Sequence, residues 1–326
     1  MKAALRERYG STDVVELREI DKPEPVDDEV LVRVRAASVN RADLDGLTPR
    51  PQFVRLFIGL RAPRQPRIGL DAAGEVEAVG PGVARFKVGD RVFGDMFSFG
   101  SGSFAEYVCT SERAFLPIPV GLTFEDAATL PHSAVLGVQG LRLRDGRTPK
   151  AGDRVLIDGA SGNVGPFAVQ IAKDMGAEVT GVARTGKLDF VRSLGADHVI
   201  DYTSTDYTRA GKVYDWIVDT DSHHSVLAVR RALAPGGVYV TLGGTSWPIL
   251  AAMLGAPLVG RATGRRMGLL LWWKPFNPPD VDRVTELIAV GKVRPAIDRR
   301  FPLDQVVDAL RWVDDGRAKG KVLVIP

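Results

Sequence analysis

The chain reads as an α/β protein in which a doubly wound parallel sheet follows a β-rich region. Three observations predict this. An apolar run, Val155-Leu156-Ile157, enters a glycine turn, Gly159-Ala160-Ser161-Gly162-Asn163-Val164-Gly165, and a helical stripe follows at Val164, Phe167, Ala168, Ile171, Ala172 and Met175. After that unit, short strand-like runs alternate with helical ones, which demands crossovers and helices on both faces of the sheet. Before about residue 115, alternation and turn residues predominate, with no long helical pattern.

Taken in order, Glu29 to Ala37 alternates apolar and polar residues, as a half-buried strand does. Gly74–Val79 and Ser103–Val108 are further strands, with turns at Pro81-Gly82 and Val88–Val92. Short helices are expected only near Asn40–Gly46 and Arg50–Leu60. Thr123, three residues ahead of Asp126, caps a helical stretch that runs to about Arg144. Pro149-Gly152 then leads to the strand at Val155, and Pro166 suits the first turn of its helix. Later strands are expected at Glu178–Ala183, His198–Ile200, Asp215–Asp219 and Val238–Leu242. Helices are expected at Lys187–Leu194, stopped by Gly195, and Ser222–Leu233, stopped by Pro235-Gly236-Gly237. Ser246 to Trp273 reads as a helix or loop and then a strand, Leu269–Trp273. Pro275–Pro279 breaks structure, and the end holds helices near Asp280–Gly291 and Leu303–Gly316 and a strand at Lys321–Ile325.

Composition narrows the function. The 326 residues are 45% hydrophobic and 25% charged, with a net charge of +3, as in an ordinary soluble protein. No dense basic run supports a nucleic-acid partner; Arg50, Arg55, Arg61, Arg64 and Arg67 are spaced by Pro, Phe, Leu and Gly. The single cysteine, Cys109, excludes an internal disulfide and a four-cysteine zinc site. MKAALRERYG has no apolar leader core, and Ile249–Gly260 is too short to span a bilayer, so a cytoplasmic location and no membrane span are expected.

Strand, glycine turn and helix together form a phosphate-binding elbow. The glycines admit a pyrophosphate and the helix start presents N–H groups to it. Ser161, Gly162, Asn163 and Val164 would line the pyrophosphate. After the second strand of such a unit a carboxylate usually holds the ribose 2′-hydroxyl, but Ala183–Lys187 offers Arg184 and Lys187. Both attract a 2′-phosphate, so the cofactor is expected to be NADPH. Gly181–Lys187 also matches GxxxxGK, but Leu188 stands where a magnesium-binding Ser or Thr is required, and the match is coincidental.

Three segments together, GASGNVG, GADHVIDY (Gly195 to Tyr202) and ASVNRAD (Ala37 to Asp43), resemble the medium-chain dehydrogenase/reductases. Within them the chain is similar to the zinc-independent quinone oxidoreductases and enone reductases, close to the reticulon-interacting NADPH oxidoreductases. GLDAAGEVEAVGPGV (Gly69 to Val83), VGDRV, FAEY and GKV (Gly291 to Val293) extend the likeness over the whole chain. The resemblance implies a GroES-like substrate domain formed by residues 1–118 and 278–326. An NADPH-binding Rossmann domain, 119–277, would be inserted in it, with the site in the cleft, and a homodimer is expected. Zinc members carry a Cys ahead of the motif's Asp and a Gly-His-Glu further on. Here those stretches read Asn40-Arg41-Ala42-Asp43 and Gly69-Leu70-Asp71, so no metal ligand set is expected. The four histidines, His132, His198, His223 and His224, are scattered.

Without a metal, removing hydride from an alcohol is hard, whereas a quinone or an enone accepts hydride readily because its own oxygen takes the charge. The expected reaction is therefore hydride transfer from NADPH to a lipophilic quinone or an α,β-unsaturated carbonyl. By resemblance, Asn40 lies near the nicotinamide or substrate, as a carbonyl donor or as a turn former, and Asp43 belongs to the same loop. Tyr202 would touch the 2′-phosphate, and Asp219 and Gly243-Gly244 end strands at the cleft. Solvent or a cleft hydroxyl would donate the proton; Leu136 and Leu47 stand where relatives often have Thr and Tyr, so His132 or Ser133 is a candidate substitute. The alternatives are a zinc alcohol dehydrogenase and a sensor or structural protein that binds NADPH with little turnover. A short-chain reductase is excluded because no Tyr-x-x-x-Lys occurs, and a serine hydrolase because no Gly-x-Ser-x-Gly occurs.

Overall fold

The computed structural model describes residues 1–49, 55–244, 246–271 and 273–326. The chain forms two compact units, one of residues 1–135, 275–285 and 295–326 and the other of 136–274 and 286–294. The first unit thus runs past the expected boundary at 118 and takes in the helix that Thr123 caps.

The first unit opens with an antiparallel pair, β1 (Lys2–Arg6) and β2 (Val15–Glu19). The long strand β3 (Glu29–Val39) follows, then the helices α1 (Arg41–Leu47) and α2 (Arg55–Ile58). Next come β4 (Asp71–Val79), β5 (Arg91–Asp95), β6 (Tyr107–Ser111), β7 (Phe115–Pro117) and α3 (Phe124–Ala128). Residues 50–54 of the expected second helix lie outside the described residues. The strand expected at Ser103–Val108 starts later, because Phe104 and Ala105 are held by the first strand: Ala4 N–H donates to Phe104 O at 2.8 Å. Thr123 Oγ accepts the Asp126 N–H at 3.0 Å, as expected of a cap worth about 1 kcal/mol. Asp126 answers by accepting the Thr123 hydroxyl rather than its backbone N–H.

The helix α4 (Ser133–Gly140) passes into the second unit and ends four residues before the expected Arg144. Strand β8 (Arg154–Asp158), helix α5 (Gly165–Asp174), β9 (Glu178–Ala183), α6 (Leu188–Ser193), β10 (His198–Asp201) and β11 (Tyr214–Asp219) follow the expected alternation. Helix α7 (Val226–Ala232) starts later than expected. Ser222 is drawn into a bridge with Gly244, Ser225 caps the helix, and His223 and His224 therefore sit in the loop ahead of it. Strand β12 (Leu233–Thr241) begins at once and runs through Pro235-Gly236-Gly237, which is a kink and not a stop. The apolar segment forms two helices, α8 (Ser246–Leu254) and α9 (Ala256–Ala262), and strand β13 (Arg266–Leu269) lies earlier than expected. Among the described residues these strands make a six-stranded sheet in the order β10-β9-β8-β11-β12-β13, with every pairing parallel. The order reverses direction between β8 and β11, and in such sheets ligands bind at that switch point, beyond the strands' carboxyl ends.

Helix α10 (Pro278–Ala289) starts inside the expected break, since proline is tolerated in a first turn. Strand β14 (Ile297–Pro302), helix α11 (Val306–Asp314) and strand β15 (Lys321–Ile325) complete the first unit. Its sheet runs β14-β15-β3-β4-β5-β7, with β6 also on β3. Phe104, Phe115 and Met96 are fully buried in its core, each contributing roughly 2–3 kcal/mol of apolar burial.

Candidate active site

In the first unit the chemistry gathers at one end of four neighbouring strands, β15, β3, β4 and β5. The register explains why. Val322 of β15 lies opposite Val39 of β3, so Lys321 falls beside Asn40. Asp71 of β4 lies opposite both Ser38 of β3 and Asp95 of β5. His132, just ahead of α4, and Ser133, its first residue, join the same end.

All of these polar side chains are buried; Ser38, Asp71, Asn40, Ser133 and Lys321 form one hydrogen-bonded group, and His132 and Asp95 a neighbouring pair. Asn40 Oδ1 accepts from Lys321 Nζ at 2.6 Å and from Ser133 Oγ at 3.0 Å, and its Nδ2 donates to Asp71 Oδ2 at 2.9 Å. Lys321 Nζ also donates to Ser133 Oγ at 2.9 Å and lies 3.6 Å from Asp71 Oδ2. Both ends of the Asn40 amide are thus engaged within the protein, and Asn40 is the hub of the cluster. Asn40 is also the N-cap residue that opens α1, the turn role expected of it. Asp43 Oδ2 accepts the Asn40 backbone N–H at 2.7 Å, which fixes the start of α1. His132 Nδ1 is 3.2 Å from Asp95 Oδ2.

Burial governs the charges. It raises the Asp43 carboxyl to about 7, against the opposing hydrogen bond from Asn40 N–H. It also raises Asp71, which Lys321 pulls back down. Burial lowers the Lys321 ammonium, with Asp71 and Asp43 opposing. For His132 burial alone would lower the imidazole, but the hydrogen bond and charge of Asp95, with Asp71 behind it, leave it raised. Cys109 stands apart on β6 with its thiol near Glu29, pushed by burial to about 12.

In the second unit the elbow sits at the switch point. Gly159 takes a φ of +77°, and a Cβ there would meet Thr220 Oγ1 at 2.1 Å. A Cβ on Gly165 would lie 2.3 Å from Gly159 O, so α5 is packed against the turn as closely as glycine allows. At Gly162 the nearest atom to a Cβ is Gly159 O at 3.4 Å. The fold itself would admit a side chain there. Ser161 is buried, while Asn163 and Val164 are half-buried.

Arg184 is exposed and Lys187 half-buried just past β9, and Tyr202 is 55% exposed past β10. The structure adds a carboxylate that local sequence did not show. Asp201 of β10 pairs with Ala183 of β9, and its Oδ2 accepts the Thr185 hydroxyl at 2.6 Å. Thr203 donates both its N–H and its hydroxyl to Oδ1, and these hydrogen bonds hold the acid well ionised. Asp219 is buried: Oδ2 accepts from Tyr239 at 2.9 Å and Oδ1 from Asp221 N–H at 3.2 Å, and burial raises it to about 6. It organises the loop before the Ser222–Gly244 bridge, next to Gly243.

The sequence pointed to Asn40, Asp43, His132 and Ser133 separately. Lys321, Asp71 and Asp95 were not read as site residues. One signal for Lys321 was available: a lysine that opens a strand of apolar residues, Val322 to Ile325, needs a partner if it is buried, since an unpaired charge is costly to bury.

Residues 26–120 match the alcohol dehydrogenase GroES-like domain, and residues 194–324 match the zinc-binding dehydrogenase domain. The chain is 32% identical over 337 residues to 2-methylene-furan-3-one reductase of Solanum lycopersicum, which covers 100% of this chain and 79% of that one. It is also 32% identical to the mitochondrial NAD(P)H oxidoreductase of Mus musculus, with coverage of 99% and 89%. The quinone oxidoreductase structure from Coxiella burnetii superposes with a TM-score of 0.87 at 28% identity, covering 100% and 99%.

The name of the second domain raises the question of zinc. Ligand atoms of Asp71, Asp95 and His132 all lie within 4.8 Å of one another, and Asp71 Oδ1 has no hydrogen-bond partner. The donor set nevertheless does not fit a resident ion. Lys321 already brings a positive charge to Asp71, and the His132 nitrogen is engaged with Asp95. A divalent ion would have to sit beside a buried ammonium, at a Coulombic cost that the low-dielectric interior magnifies. Sequence, topology and whole-chain similarity agree: the chain belongs to the medium-chain dehydrogenase/reductase family.

Proposed function

We propose that the protein transfers hydride from NADPH to a quinone or an α,β-unsaturated carbonyl without using zinc. It is an NADPH-dependent oxidoreductase of the quinone oxidoreductase and enone reductase class. The observation that carries this reading is the glycine elbow at the switch point of the parallel sheet, with room for a ligand at Gly162. The elbow holds the pyrophosphate, and Arg184, Lys187 and Tyr202 face the 2′-phosphate end. NADPH, when bound, supplies the hydride. Asn40, Asp43 and His132 belong to the substrate side. His132, held by Asp95, donates the proton that completes enone reduction. The open edge of the six-stranded sheet, β13, pairs with a second copy to make a homodimer. No described helix is long and apolar enough to cross a membrane. The cytoplasmic setting belongs to the same proposal, and fractionation of cells expressing the protein tests it.

The test is NADPH oxidation, followed by loss of absorbance, with 1,2-naphthoquinone, phenanthrenequinone and short enones as acceptors. Turnover with at least one class supports the reading. Tight NADPH binding with no turnover on any of them defeats it and leaves a sensor.

A further inference from the structure

The cluster at the end of β15, β3, β4 and β5 contains a cation that the hydride-transfer reading does not yet use. Lys321 is 1% exposed. Its ammonium touches Asn40, which stands in the stretch where zinc members carry a cysteine, and it touches Ser133 and approaches Asp71. A lysine buried this deeply is ordinarily neutralised by one carboxylate and otherwise inert. Here the carboxylate is the most distant of the three contacts, at 3.6 Å, and the two short hydrogen bonds go to uncharged groups. The ammonium is held by Asn40 and Ser133 in short hydrogen bonds, with Asp71 as its nearest counter-ion at 3.6 Å.

We propose that Lys321 is the resident cation of the substrate site, a positioning residue that acts through Ser133 and Asn40 to stabilise negative charge on the substrate oxygen. The proposal rests on the hydride-transfer reading above. Two electrons arrive with the hydride at the enone β-carbon or the quinone ring, the carbonyl π bond opens, and the oxygen becomes anionic. A separate proton donor then completes the reduction. Lys321 gives up no proton in this scheme. It contributes a fixed charge, and it holds the Ser133 hydroxyl and the Asn40 amide in one arrangement before substrate arrives. A fixed charge in a site closed to water needs no reorganisation as the oxyanion forms. The same ammonium explains why three clustered ligand atoms do not make a zinc site.

The test begins with wild-type turnover of one quinone and one enone. If neither is reduced, it is the reading of the function that has failed, and the role of Lys321 is overturned with it. With activity in hand, Lys321→Met and Lys321→Arg are compared, with NADPH affinity measured by calorimetry as a control. Lys321→Met is expected to lower kcat at least 30-fold on the enone and clearly less on the quinone, which needs less help to hold charge. NADPH affinity stays within twofold, and Lys321→Arg recovers part of the enone rate. A merely structural lysine would depress both acceptors by the same factor, and that result overturns the proposal. So does an enone kcat within threefold of wild type. Zinc titration is the independent arm: wild type is expected to take up no stoichiometric zinc, and chelator is expected to leave its activity unchanged. One zinc bound, with activity lost on chelation, overturns the proposal. If Lys321→Met does not fold, the enone-to-quinone ratio is read in Ser133→Ala, where a fall supports the scheme and an unchanged ratio overturns it.

Discussion

Replacing Asp43 with asparagine tests the electrostatics of the buried cluster. The Asp43 carboxyl is raised from an ordinary 3.8 to about 7, chiefly by burial. A carboxyl raised in this way keeps its proton in the folded state after the unfolded chain has lost it. Stability from this group is complete below the unfolded value and drains away as pH rises toward the folded one. The full shift corresponds to about 4 kcal/mol, of which roughly 3 kcal/mol is lost between pH 5 and pH 8.5. The substituted amide cannot ionise, and its carbonyl can still accept the Asn40 N–H that Asp43 Oδ2 accepts at 2.7 Å. Its amide N–H would face the position of Asp43 Oδ1, which has no partner, so the variant loses some stability at every pH. The informative quantity is therefore the pH dependence. Urea unfolding at pH 5, 7 and 8.5 is expected to show wild type losing about 3 kcal/mol more than Asp43→Asn across the range. Parallel curves would refute the argument, because they would mean that Asp43 ionises normally inside the fold.

Five other outcomes follow from the same structure. Arg184→Ala and Lys187→Ala should each weaken NADPH binding by about 1 kcal/mol and leave NADH unchanged, by calorimetry. Asp201→Asn should shift the balance the other way and tighten NADPH, since it removes a carboxylate beside Thr185; equal effects on both cofactors would defeat the 2′-phosphate assignment. Gly162→Ala should fold with a near-normal melting temperature but lose cofactor affinity, whereas Gly165→Ala should lower the melting temperature as well, because its Cβ would meet Gly159 O at 2.3 Å. Asp95→Asn should move the loss of enone activity at high pH to a lower pH. Asp95 holds the His132 imidazole raised, and an acid of lower pKa gives up its proton sooner as pH rises. Cys109 should resist iodoacetamide at pH 7.5 in the folded protein and react fully in urea, since its thiol is raised to about 12 and buried.

The second unit was largely legible because its signals are local. A glycine turn, a helical stripe of 3.6-residue period and a buried apolar strand each fall within about 20 residues, so β8, α5 and β9 emerge near their expected bounds. The first unit was less legible because its strands pair across long separations. Strands β1, β2, β7 and β14 are short, and some carry charged residues at exposed positions, as Glu16 and Arg18 do on β2. Strand β13 was misplaced because Leu269–Trp273 looked more strand-like than Arg266–Leu269. As an edge strand, β13 keeps Arg266 exposed and ion-paired with Asp145. The active cluster was half visible. Motif resemblance pointed to Asn40 and Asp43, and the missing Thr and Tyr pointed to His132 or Ser133, while Lys321 meets Asn40 across 281 positions of sequence, which no local pattern encodes.

The order of strands β14-β15-β3 has a consequence for how the protein is made. Strand β3 is made early, yet β15, the neighbour that completes one side of it, is made far later. At ordinary elongation rates the 281 positions between Asn40 and Lys321 take roughly 15–55 s to synthesise. During that interval β6 covers only the first half of that flank of β3, and the acidic pocket lacks its ammonium, while residues 136–274 have already emerged as one continuous segment. Synthesis of β15 therefore both completes the early sheet and installs the buried positive charge.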